Sequence, residues 1–188
     1  MVLVLASRSP RRQEILERAG FAFVVRPADV DESTEEGEDP AEHVRRLSRD
    51  KAMAVECAEG ETVLGADTVV VAGGEILGKP RDAEDAARML RMLSGREHQV
   101  LTGICLRTPR RHIVDIESTR VWFRPLSAVH IGDYIASGEP MDKAGAYAIQ
   151  GLASKFIPRI EGCYFNVVGL PAAKVAAHLE SLRDRDRR

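Results

Sequence analysis

The chain has 188 residues, 44% of them hydrophobic, with 27 Lys and Arg against 29 Asp and Glu for a formal net charge of −2. That is enough chain for one compact domain, or two lobes sharing one sheet, with a sizeable core, which excludes wholesale disorder, and the near-neutral balance argues against a general nucleic-acid coat. No apolar run approaches the ~18–20 residues that cross a bilayer. The first six residues lack a basic flank and run into Arg8, Arg11 and Arg12, which argues against a secretory signal. Cys57, Cys105 and Cys163 stand far apart, so they read as free thiols of a cytoplasmic protein and not as a disulfide frame or zinc site.

In chain order, residues 2–6 form an apolar run of strand length. Ser9-Pro10 then opens a helix that Gly20 stops, with Ser as cap and Pro in the first turn. Residues 21–26 return as a strand ended by Pro27. The stretch 28–42 carries Asp29, Asp31, Glu32, Glu35, Glu36, Glu38, Asp39 and Glu42, with no Lys or Arg between Arg26 and Arg45. That is the pattern of a solvated, mobile loop. A second helix is predicted over 40–58. Residues 62–72 are the most strand-like, with Gly73-Gly74 turning into a return strand at 75–77. Residues 82–93 have helical period, strands follow at 97–107 and 112–123, and another helix at 127–136. The Gly-rich stretch 138–170 gives no clean pattern, and Leu170-Pro171 opens a last helix expected to fray over 183–188. Strands alternating with helices, interrupted by two hairpins, predict an α/β fold with a mixed β-sheet flanked by helices, in a single domain over 1–188.

Four placements are costly unless they serve something. Arg11 and Arg12 fall in the first turn of the first helix, where a cation is disfavoured by ~0.3–1 kcal/mol. A bound anion would reverse that sign, with Ser7 and Ser9 adding hydroxyls; otherwise both arginines point to solvent. Lys51 lies on an apolar stripe with Val44, Leu47 and Val55, so it either snorkels to the edge or sends its ammonium to a phosphate or carboxylate. Asp67 interrupts an apolar strand, where a carboxylate needs an ion pair, hydrogen bonds or a metal. Gly65 just before it suggests close approach of another group to the backbone. Lys79, between Gly78 and Pro80, is either aimed by the extended geometry that proline imposes or is a plain turn residue. His98 reads as a core residue, or as one that supports a neighbouring site residue, and not as a nucleophile's base. Together the inventory fits phosphoanhydride chemistry with a divalent metal, and equally a phosphate-binding module without catalysis.

Longer motifs follow one another in order: LASRSPRRQEIL at 5–16, Asp31-Glu32, GADTVV at 65–70, LGKP at 77–80, LSGREHQVLTG at 93–103, SGEPMDKAGAYAIQG at 137–151 and FIPRIEGCYFNVVGLP at 156–171. Over nearly its full length the chain resembles the Maf family of nucleoside triphosphate pyrophosphatases. Departures such as Arg8 between the two serines and Ala148 before Ile149-Gln150 touch none of the residues to which the resemblance assigns a role.

The resemblance implies an extended mixed sheet with two lobes around a cleft, similar to the inosine triphosphate pyrophosphatases. It implies cleavage between the α and β phosphates, giving monophosphate and pyrophosphate, with a divalent metal cation, Mg2+ or Mn2+. Asp67 would be the catalytic carboxylate and Glu32 an assisting acid, both available to the metal, with Ser7, Arg11, Arg12, Lys51 and Lys79 on the phosphates. Asp67 as base, as ligand or as both stays open. The segment at 142–151 resembles the dTTP and UTP branch, with Gln150 reading the base and Arg11 and Thr68 contributing. A glutamine amide offers an acceptor and donors to the N3–H and carbonyls of uracil or thymine, whereas a glutamate's acceptors suit guanine. The alternatives are the same chemistry on another nucleotide, such as 7-methyl-GTP or a modified pyrimidine triphosphate, or a nucleotide-binding regulator of cell division with little turnover. The expected partners are the nucleoside triphosphate and, if any protein, a second copy in a homodimer, with no nucleic acid and no membrane.

Overall fold

The computed structural model describes residues 2–186. In chain order they form β1 (Val2–Leu5), α1 (Pro10–Arg18), β2 (Phe23–Val25), α2 (Pro40–Met53), β3 (Glu61–Ala72), β4 (Glu75–Leu77), α3 (Ala83–Leu93), β5 (Glu97–Arg107), β6 (His112–Trp122) and α4 (Ala128–Ala136). Three 3-10 turns, Glu139–Asp142, Ala144–Ala146 and Leu152–Phe156, precede β7 (Arg159–Glu161), α5 (Tyr164–Val168) and α6 (Ala172–Asp186). The sheet runs β2-β1-β3-β5-β6-β7, with β4 paired to β3. It is mixed, as predicted: β1 is parallel to β2 and β3, whereas β4 and β7 are antiparallel to their partners.

Local rules account for most boundaries. Ser9 caps α1, Asp39 caps α2 ahead of Pro40, and Ser127 with His130 forms a reciprocal cap on α4. Gly73 and Gly74 have φ +59° and +83°, which the tight β3–β4 hairpin requires of its two central residues. Helix α2 is shorter than predicted, stopping at Met53 and not near 58. The reason is Arg107 of β5, whose Nη1 takes the carbonyls of Ala52, Met53 and Val55 at 2.9, 3.1 and 2.9 Å. A guanidinium on the last carbonyls satisfies the helix end where no glycine does. The stretch without a clean pattern holds the 3-10 turns. Helix α6 continues to Asp186, past the point where fraying was expected; Arg187 and Arg188 lie outside the described residues.

The chain divides into two compact units. The first comprises residues 1–67, 102–117 and 169–188, with a core around Val4, Ala6, Ala52, Val63 and Cys105. The second comprises residues 68–101 and 118–168, with Leu90, Phe123, Tyr134, Tyr147 and Phe156 at its centre. His98 lies in that second core, 3% exposed, its Nε2 2.9 Å from the Tyr147 hydroxyl. Strands β3, β5 and β6 each contribute residues to both units. Among the described residues no helix is long and apolar enough to cross a membrane.

Candidate active site

In the first unit, β3 buries Asp67, and α2 supplies the cation that a buried carboxylate needs. Lys51 Nζ lies 2.7 Å from Asp67 Oδ1 and 2.7 Å from Glu32 Oε1. The Lys51 and Asp67 side chains are 9% and 10% exposed; Glu32, arriving from the acidic loop, is 54% exposed. Lys51 therefore does not snorkel. Two glycines let the helix come that close. A Cβ on Gly65 would stand 2.1 Å from the Ser48 carbonyl oxygen and 2.7 Å from the Ala52 nitrogen, and one on Gly103 would stand 2.1 Å from the Val44 carbonyl oxygen. The group expected near Gly65 is thus the backbone of α2, and Lys51 sits between its two points of contact.

At the start of α1 the Ser9 side chain accepts from the Arg12 N–H at 3.5 Å, and the Ser9 N–H donates to Ser7 Oγ at 3.2 Å. Arg12 does not point to solvent: it is buried, with Nε donating to the Gly169 carbonyl at 2.9 Å and Nη1 to Ser7 Oγ at 3.1 Å. Burial lowers the pKa of its guanidinium, opposed by the charges of Asp67 and Glu32 and reinforced by Arg11. That coupling marks Ser7, Arg12, Glu32, Lys51 and Asp67 as one electrostatic cluster, with the half-buried Arg11 beside it.

The remaining expected residues belong to the second unit. Thr68 follows Asp67 along β3 and is half-buried, Lys79 is exposed just past β4, and Gln150 is exposed on the turn before Leu152–Phe156. Gly78 accepts a hydrogen bond from the Gly145 N–H at 3.0 Å, which ties the corner carrying Lys79 to the segment leading to Gln150.

Sequence reasoning missed a second ionic group beside Asp67. Arg46 donates from Nε and Nη2 to Glu38 Oε1 and Oε2 at 2.6 and 2.7 Å, and from Nη2 to the Ser33 carbonyl at 3.0 Å. His43 Nδ1 lies 2.8 Å from Glu38 Oε2, and its Nε2 lies 4.0 Å from Asp67 Oδ2. Arg46 foremost, with His43 and the Glu35 N–H, holds the Glu38 carboxyl down to about 2 against the cost of burial. The acidic loop is therefore anchored at Glu38, where a solvated loop was expected. A signal existed: His43, Leu47 and Lys51 step by four along α2, and Arg46 follows His43 by three.

Compared with known proteins, residues 2–182 match the family described as Maf-like protein. A curated protein of Koribacter versatilis named dTTP/UTP pyrophosphatase is 55% identical over 93% of this chain and 91% of its own length. Proteins of the same name from Anaeromyxobacter sp. and Geobacillus sp. are 55% and 50% identical, over 93% and 96% of this chain and 86% and 97% of their own lengths. Among solved structures, the Staphylococcus aureus Ham1 protein aligns over 83% of this chain and 91% of its own at 15% identity and a TM-score of 0.48.

Proposed function

The chain belongs to the Maf-like protein family, and from that membership we propose that it hydrolyses dTTP and UTP to the nucleoside monophosphate and pyrophosphate. The observation that carries the chemistry is the buried Asp67 carboxylate, joined to Glu32 through one ammonium and coupled to a buried arginine. The substrate class rests on relatives named for it that cover nearly the whole chain.

In this reading Arg11, Arg12 and Lys79 neutralise phosphate oxygens, and Ser7 holds the Arg12 guanidinium in place. Water attacks the α-phosphorus as the bond to the α–β bridging oxygen breaks, and the electron pair leaves with pyrophosphate. Asp67 aligns that water and takes its proton, with Lys51 fixing the other carboxylate oxygen. Asp67 and Glu32 would hold the divalent cation, Mg2+ or Mn2+. The donor set suits it, since one or two carboxylates completed by substrate phosphates suit Mg2+, although Lys51 already shares both carboxylates and partly neutralises them. When bound, such a cation neutralises phosphate charge and makes water a stronger acid. Gln150, Thr68 and Arg11 select the base. Free thiols at Cys57, Cys105 and Cys163 suit a reducing compartment such as the cytoplasm.

The test is purified protein with dTTP, UTP, CTP and GTP, following pyrophosphate and monophosphate. The reading expects dTTP and UTP to be cleaved with the highest kcat/KM. Preference for GTP would overturn the substrate, and tight binding of dTTP without pyrophosphate release would favour a regulator over an enzyme.

A further inference from the structure

The turn that carries Gln150 is held at both ends by one hydrogen-bonded pair. It closes on itself through the Gly151 N–H and the Ala148 carbonyl at 3.1 Å. At its leading end the Ala148 N–H donates to the Tyr134 hydroxyl at 3.1 Å. At its trailing end the Leu152 N–H donates to Glu139 Oε2 at 3.0 Å. The two holders are joined, because the Tyr134 hydroxyl donates to Glu139 Oε1 at 2.8 Å.

Each part of the clamp is itself fixed. Tyr134 is 2% exposed and its ring stands edge-on to Phe156 with 5.6 Å between centroids. Burial, then the bond to Glu139, pushes its phenol above the ordinary value, so the hydroxyl keeps the proton it donates. Glu139 follows Gly138, at φ +76°, and opens the turn Glu139–Asp142; its N–H rests on Ser137 Oγ at 3.3 Å and its carbonyl accepts from Lys143 Nζ at 2.7 Å. At Gly151 a Cβ would stand 2.2 Å from Glu139 Oε2, so a glycine there lets the carboxylate close on the turn.

A glutamine that discriminates bases through its amide must be presented within about 0.5 Å of the productive geometry. Gln150 is exposed, so packing of its own side chain does not provide that. The backbone on either side does. We propose that Tyr134 and Glu139 are positioning residues for base choice: through Ala148 and Leu152 they fix the turn from which Gln150 addresses the uracil or thymine edge. This rests on the assignment of Gln150 above.

Tyr134→Phe keeps the ring and deletes both hydroxyl bonds. Glu139→Gln keeps the size but replaces one accepting oxygen by an NH2 donor, so the hydroxyl and the Leu152 N–H no longer each meet an acceptor oxygen of their own. Steady-state kinetics on dTTP and GTP would be measured for the wild type, Gln150→Ala, each clamp variant and each clamp variant combined with Gln150→Ala. The dTTP-to-GTP ratio of kcat/KM is expected to fall about five-fold or more in each clamp variant, chiefly through KM for dTTP. In the Gln150→Ala background the clamp variants should change the ratio no further, because their effect passes through that residue. Equal losses on both nucleotides, repeated in the Gln150→Ala background, would mark a merely structural pair and overturn the proposal. If Gln150→Ala alone keeps the wild-type ratio, the base-reading assignment itself falls, a result visible without either clamp variant. Should Tyr134→Phe fail to fold, Glu139→Gln decides alone.

Discussion

Lys51 bridges two carboxylates, and its removal would leave Asp67 buried opposite Glu32 with no cation between them. Deleting one member of a buried pair costs about 3–5 kcal/mol, and the exposure of Glu32 moves this case toward the lower end. Lys51→Met should therefore lower the Tm. Millimolar Mn2+ should then raise the variant's Tm by more than the wild type's, since two bare carboxylates bind a cation better than two already neutralised ones. Equal shifts in the two proteins would remove this pair as the metal's ligands. Asp67→Asn is gentler, because the amide oxygen still accepts from Lys51. It should melt close to the wild type while losing about 100-fold or more in kcat on dTTP. Wild-type-like turnover in that variant would exclude Asp67 from the mechanism.

At the scale of elements, the packing of α2 onto β3 and β5 decides whether Lys51 and Asp67 meet at all. Ser48 and Ala52, the residues nearest a Cβ on Gly65, flank Lys51 by three positions before and one after, so pushing the helix away there moves the ammonium too. The atoms in the way are backbone, which cannot rotate aside. Gly65→Ala should cost about 1–3 kcal/mol in urea denaturation and lower kcat as well. A variant with wild-type stability would show that the helix does not need this close approach. The C-terminal end of the same interface is held by Arg107 on the Ala52 and Met53 carbonyls, where the helix stops.

Over the whole molecule, buried and paired groups set the response to acid. His98 is pushed down to about 3 by burial, from an ordinary 6.5, so it is neutral in the fold and protonates first in the unfolded chain. Its contribution is intact above pH 6.5 and declines as pH falls toward 3, at about 1.4 kcal/mol per pH unit. Glu38 and Glu61 are held down to about 2 from 4.5, chiefly by Arg46 and Arg26, so their contribution is present above pH 4.5 and lost on the way to 2. Stability measured in urea across this range should fall from below pH 6.5 and steepen below 4.5. His98→Gln should flatten the upper part alone; an unchanged slope there would mean that His98 is not the group responsible. The sequence by itself determined the alternation of strands and helices, the cap at Ser9, the β3–β4 hairpin and the oddity of Lys51 and Asp67, because each follows from a residue and its near neighbours. Only the tertiary structure decided that Lys51 answers both Asp67 and Glu32, that Arg12 reaches Gly169, that Glu38 and Arg46 anchor the acidic loop, and that Tyr134 with Glu139 grips the Gln150 turn. Apart from the loop's anchor, these pairings join separate elements, and their distance is set by how closely two backbones pack, a quantity that no local pattern of side chains contains.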